Sequence, residues 1–129
     1  MITEYCPMGV IVRDCKKDKR VAKCKESIYA LRNSKGDEFR VSQDIFCRST
    51  IYNSNVTCML DNLYELHEIG INVLRLDFTL EDKGTVKEVI EAYQEVLSND
   101  YKLGTKATKL YNKLDEKGTT AGHYYKGVE

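Results

Sequence analysis

Ile71-Asn72-Val73-Leu74-Arg75-Leu76-Asp77-Phe78 is the stretch whose reading decides the fold. It is rich in β-branched and aromatic side chains and bounded by Gly70 on one side and charged residues on the other, so it reads as a strand. The segment before it, 57–69, carries Met59, Leu60, Leu63, Leu66 and Ile69 at helical spacing. Gly70 supplies its stop. The segment after it opens on Thr85 and Glu88, spaced as a capping box. Val86, Val89, Ile90, Tyr93, Val96 and Leu97 then form an apolar helical stripe to residue 98. Helix 57–69, strand 71–78 and helix 85–98 make an α-β-α run, which belongs to α/β folds with parallel strands. A third helix over 105–117 carries Ala107, Leu110, Tyr111 and Leu114 and ends at Gly118. The tail from Gly118 to Glu129 shows no period.

Upstream the pattern changes. Residues 8–13, apolar and partly β-branched, predict a short extended segment. Residues 14–25 are rich in basic side chains and read as a solvated loop. Residues 27–32 and 38–43 alternate with period 2 around the turn formers Asn33-Ser34-Lys35-Gly36-Asp37, which predicts a β-hairpin. The chain is therefore expected to form one domain, with a cysteine-bearing, β-rich part over 1–50 and an α/β part over 51–129. The hairpin would be an insertion into the α/β layer or an appendage on it.

Composition narrows the function. Lys plus Arg equals Asp plus Glu, 20 each, and the formal net charge is zero. That argues against a dedicated nucleic-acid binder, which shows a basic excess. No apolar run approaches the roughly 20 residues that cross a bilayer. Met1-Ile2-Thr3-Glu4-Tyr5 lacks the basic and apolar regions of a signal peptide. A cytoplasmic protein is expected. The chain has five cysteines, Cys6, Cys15, Cys24, Cys47 and Cys58. An odd number without a secretion signal fits a disulfide framework poorly.

Cys6, Cys15, Cys24 and Cys47 fall in loop or strand-end contexts, separated by eight, eight and twenty-two residues. Structural zinc sites usually include a short C-x2–4-C knuckle, and none is present. Iron–sulfur clusters also take four thiolates and tolerate wider spacing. Small buried hydrophobes are the alternative for all four. Lys16, Lys17, Lys19, Arg20, Lys23 and Lys25 surround Cys15 and Cys24. They would offset the negative charge of a thiolate centre, or serve only as a solvated loop. Cys58, beside Met59 and Leu60, reads as packing.

The order of several motifs resembles peptidase family U32, the collagenase-like peptidases. They are Glu4-Tyr5-Cys6-Pro7-Met8-Gly9, Cys24 followed by Tyr29-Ala30-Leu31 and the Gly36 turn, and Phe39-Arg40-Val41. Cys47-Arg48 with Ile51-Tyr52-Asn53-Ser54, Leu74-Arg75-Leu76-Asp77-Phe78-Thr79 and the ending Gly122-His123-Tyr124-Tyr125-Lys126-Gly127-Val128-Glu129 follow. The resemblance implies a longer protein with a TIM-barrel-like catalytic domain, of which this chain would be the C-terminal part with an inserted hairpin. It would then work with the N-terminal remainder of the full-length protein and would not be active alone. Some members of the family are collagenase-like proteases. Others support oxygen-independent hydroxylation of ubiquinone precursors or RNA bases, some with a [4Fe–4S] cluster on four cysteines. By order, Cys6, Cys15, Cys24 and Cys47 correspond to those ligands, although the loop between them is shorter here. The resemblance leaves peptide, RNA and small-molecule substrates open.

Three readings follow. The first is a metal-binding portion of a U32-type enzyme whose cysteines hold an iron–sulfur cluster. The second is a protease segment with structural zinc or no metal, and the third a non-catalytic interaction domain. The catalytic candidates are Asp77, Arg48 and His123, with Glu4, Arg75 and Glu81 also near expected strand ends, where barrel enzymes hold reacting groups. His67 reads as a partly exposed helix residue. No Ser-His-Asp order, HExxH or glycine-rich phosphate loop is present. A partial barrel would leave open strand edges, to be covered by forming a homodimer or by rearranging.

Overall fold

The computed structural model describes residues 1–4, 6–12, 28–44, 46–122 and 124–125. The chain divides into two compact units, Met1–Ser54 and Asn55–Glu129. Both strands and helices are present, so the fold is mixed α/β.

The first unit is built on an antiparallel sheet. Its elements are β1 (Ile2–Thr3), α1 (Pro7–Val12), β2 (Ile28–Arg32), β3 (Glu38–Gln43) and β4 (Ser49–Ile51), with the strands in the order β1-β4-β3-β2. The expected hairpin is β2 and β3, in register from Ile28↔Ser42 to Arg32↔Glu38. Its turn is built by Asn33, whose Oδ1 accepts from the N–H of Lys35 at 2.9 Å and of Asp37 at 3.0 Å. Gly36 takes the left-handed conformation, φ +91°, that the turn requires. Val41 and Ser49 are completely buried.

Over residues 8–12 the extended segment expected at 8–13 is instead helical, as part of α1. Pro7 occupies the first helical position, where its missing N–H costs nothing. Cys6 caps it: its carbonyl accepts from Val10 N–H at 3.2 Å and its Sγ from Gly9 N–H at 3.2 Å. Local capping thus overrides the weak strand preference of the β-branched residues. The basic loop expected at 14–25 lies outside the described residues.

The second unit holds β5 (Val56–Thr57), a 3₁₀ turn (Leu60–Asn62), α2 (Leu63–Glu68), α3 (Lys83–Ser98), α4 (Thr105–Asp115) and β6 (Thr119–Thr120). The helix expected at 57–69 is shorter than its apolar pattern. Val56 and Thr57 pair in parallel with Thr119 and Thr120, and Cys58 N–H donates to Thr120 O, so helical winding begins only at Leu60. The otherwise featureless tail thereby gains a strand. Gly118, φ +88°, turns the chain out of α4 into it.

The capping box expected at Thr85 and Glu88 is placed differently. Asp82 is the N-cap of α3, with Oδ1 accepting from Thr85 N–H and Oδ2 from Thr85 Oγ1, both at 3.0 Å. Thr85 is therefore the third helical residue, and Glu88 reaches across to Lys113 on α4 at 2.5 Å. Lys106 likewise reaches Glu91 at 2.9 Å, and Glu95 accepts from Ala107 N–H at 2.8 Å, capping α4 from the side of α3. Between the helices lies the core of this unit: Cys58, Leu60, Leu63, Leu66, Ala92, Val96, Ala107 and Leu110. Ile69, Ile90 and Leu97, at the margins of the expected stripes, are exposed.

Residues 71–78 are not a strand: they have no regular secondary structure. A strand needs a neighbour to take its backbone N–H and C=O groups, and among the described residues 72–78 have no backbone hydrogen-bond partner. No closed barrel is present among the described residues. Among the described residues no helix is long and apolar enough to cross a membrane.

Candidate functional site

The sheet of the first unit brings two of the four candidate cysteines to one end. β1 and β4 run antiparallel with Thr3 opposite Ser49. The chain leaving β1 toward Cys6 therefore runs beside the chain entering β4 from Cys47. Both thiols are free and half-buried. Cys6 and Cys47 stand 41 positions apart in sequence by number, and only the β1–β4 pairing places them at the same sheet end.

Each is held by a polar neighbour. Gln43, the last residue of β3, donates from Nε2 to Cys6 Sγ at 2.6 Å and, less closely, to the buried Ser49 Oγ at 3.4 Å. Asp44 organises the turn that presents Cys47. Its Oδ1 accepts from the N–H of Phe46 at 2.8 Å and of Arg48 at 2.9 Å, while its carbonyl accepts from Cys47 N–H at 3.1 Å. Arg48 closes the turn from outside: its Nε donates to Asp44 Oδ2 at 2.7 Å, and its guanidinium lies 5.5 Å from the centre of the Phe46 ring. Desolvation pushes the Asp44 carboxyl up, but the Arg48 side chain and the two backbone N–H bonds outweigh it and hold it below its ordinary 3.8. Within this turn Cys47 has φ +62°, the left-handed region that a residue with a Cβ adopts only when its surroundings hold it there.

Cys15 and Cys24, with the six basic residues around them, lie outside the described residues, as does His123. Among the described residues no three His, Cys, Asp or Glu side chains cluster as a metal site. The other candidates are engaged elsewhere. Asp77 pairs with Arg75 at 2.9 Å, both exposed. Glu81 accepts from Thr79 N–H at 2.6 Å. Glu4 is exposed. His67 stacks on Tyr101 at 4.5 Å between ring centres, with Nδ1 3.0 Å from the Tyr101 hydroxyl. Cys58 is buried in the core, where desolvation pushes its thiol up from 9.0.

Gln43 and Asp44 are the residues that sequence reasoning missed. For Asp44 a signal exists: a turn-forming carboxylate four residues before Arg48. For Gln43 there is none, because its bond to Cys6 spans 37 residues.

The sequence model of peptidase family U32 matches residues 9–128. The chain belongs to peptidase family U32. No curated protein and no solved structure matches it. The match runs through Cys15, Cys24 and Cys47 and through the 71–78 segment, and it begins three residues after Cys6.

Proposed function

We propose that this U32-family chain uses Cys6, Cys15, Cys24 and Cys47 to hold a [4Fe–4S] cluster in a redox or hydroxylation-linked enzyme. The observation that carries the reading is the convergence of Cys6 and Cys47 at one end of the sheet. β2 starts at that same end, since Ile28 pairs with Ser42, next to Gln43. Cys24 stands four positions before Ile28 in sequence. The donor set fits: soft thiolates suit an iron–sulfur centre. Bound there, the cluster would supply one-electron transfer.

The remaining work belongs to the chain. Gln43 would keep its N–H on the Cys6 sulfur, a contact of the kind that stabilises thiolate charge and tunes potential. Asp44 and Arg48 would hold the Cys47 backbone in its left-handed conformation. In this reading Arg48 acts as a positioning residue, and Asp77 and His123 stay as candidates for contact with substrate. The chain would form the later part of a TIM-barrel-like domain and would act in the cytoplasm with the N-terminal remainder of the protein on a peptide, RNA or small-molecule substrate.

Metal and sulfide analysis of protein purified without oxygen tests this. Iron with acid-labile sulfide and visible absorption, lost in Cys24→Ser and Cys47→Ser, is expected. Zinc without sulfide would replace the cluster with a structural metal. Colourless, metal-free protein would sink the reading and leave a protease segment or an interaction domain.

A further inference from the structure

One backbone N–H and one side-chain N–H meet at a single sulfur. Cys6 Sγ accepts from Gly9 N–H at 3.2 Å and from Gln43 Nε2 at 2.6 Å, while the Cys6 carbonyl accepts from Val10 N–H at 3.2 Å. Cys6 therefore caps α1 with both of its acceptors, and the same sulfur is tied to the end of β3. Gln43 is itself fixed there: it pairs with Ser49 in the β3–β4 ladder, and its amide also reaches the buried Ser49 Oγ at 3.4 Å. α1 has six residues, well short of the roughly 12 at which a helix begins to hold itself in water. Gly9 inside it weakens it further. Its order depends on what holds its first turn.

We propose that Cys6 couples the occupancy of the proposed iron–sulfur site to the order of α1 and of the end of β3. The inference rests on the cluster reading and adds a conformational consequence to it. The Cys6 thiol is free, and a free thiol is a weak hydrogen-bond acceptor. The same sulfur, held as a metal-bound thiolate, carries negative charge. Hydrogen bonds to a charged acceptor are roughly twice as strong as those to a neutral one. Gly9 N–H and Gln43 Nε2 are already aimed at Sγ, so ligation strengthens two existing bonds and needs no new donor. One of them closes the first turn of α1, and the other holds the Gln43 amide beside Ser49. Loading therefore tightens α1, and loss of the metal loosens it. The coupling is reciprocal: whatever orders α1 also favours ligation by Cys6. α1 fills six of the eight positions between Cys6 and Cys15, so the element that responds lies, in sequence, between two of the proposed ligands.

Hydrogen exchange and nitrogen-15 NMR on the full chain, prepared without oxygen and compared before and after loading with iron and sulfide, test this. Exchange of the Gly9 and Val10 amides should slow about tenfold or more on loading. That slowing should exceed any change at the Asn33 amide, which bonds Asp37 O in the turn between β2 and β3 and so reports general stabilisation of the sheet unit. The Gly9 backbone nitrogen and the Gln43 side-chain nitrogen should also take contact shifts, because unpaired spin on a ligating sulfur passes through an N–H···S bond. Cys6→Ser separates the cap from the ligand: serine caps a helix well but does not supply the thiolate. In that variant Gly9 and Val10 should exchange at the same rate with and without iron and sulfide. A parent chain that holds iron and sulfide while its Gly9 and Val10 exchange stays unchanged would overturn the inference and leave the cluster reading intact. The same slowing in Cys6→Ser, or loaded protein without the Gly9 contact shift, would overturn it too. A parent chain that takes up no iron would sink the cluster reading itself, and this inference with it.

Discussion

Leu60, 1% exposed, and Tyr93 show how differently two side chains support the same core. Leu60→Ala removes a fully enclosed branched side chain and should cost roughly 2–5 kcal/mol, read as a lower urea midpoint. Tyr93 contributes through its oxygen, which accepts from Met59 N–H at 3.2 Å. Tyr93→Phe leaves that N–H without its acceptor and should cost about 1–3 kcal/mol. Burial pushes the Tyr93 hydroxyl up to about 12, and the Glu65 bond does the same for Tyr125. Both groups stay protonated in the fold at a pH where the unfolded chain has begun to ionise. Their contribution is complete below the ordinary tyrosine value of 10.0 and is lost as pH rises from there toward 12. Denaturation followed from pH 9 upward should show that decline, and Tyr93→Phe should flatten part of it. At this scale the sequence was informative where neighbours in sequence are also neighbours in space. Cys58 reads as packing from Met59 and Leu60, and it is buried. Gln43 was not readable, because its partner is brought to it only by the sheet.

Among the elements, α3 and α4 are linked by charged bridges, and their acid response follows from Glu91. The Lys106 hydrogen bond and charge, with help from Lys87, hold the Glu91 carboxyl below its ordinary 4.5. The bridge is therefore complete above pH 4.5 and is lost as pH falls through the lower value that Glu91 has in the fold. Lys106→Met should move the acid unfolding of the helical signal to higher pH, measured by far-ultraviolet circular dichroism. The β2–β3 hairpin, α3 and α4 were legible because each carries its own period and its own stop, the Asn33 turn and Gly118 among them. α1 was misread because a six-residue helix offers too little periodicity, and its start depends on a sulfur cap that composition does not announce. The 71–78 segment has strand chemistry throughout, yet propensity cannot supply the neighbour that would make it a strand. The two-residue β6 was invisible for the converse reason: Thr119 and Thr120 form a strand only because β5 lies beside them.

At the scale of the molecule, the two units differ in size and in what holds them. Eight buried residues form the core of Asn55–Glu129, and Val41 and Ser49 are buried in the sheet of Met1–Ser54. A unit of about 50 residues is small enough to gain much of its stability from a staple. If the four cysteines hold a cluster, that cluster is the staple, because metal affinity for a site that exists only when folded becomes folding free energy. Heating the metal-free chain should therefore give two transitions, with the sheet unit melting first and the helical unit later. Rebuilding the cluster without oxygen should raise the first transition by ten degrees or more, roughly the effect of a few kcal/mol on a domain this small, and leave the second where it was. Cys47→Ser should abolish the shift without moving the second transition. One cooperative melt, or a second transition that moves with iron and sulfide, would mean that the two units share their stability, and the cluster could not then be assigned to the sheet unit alone.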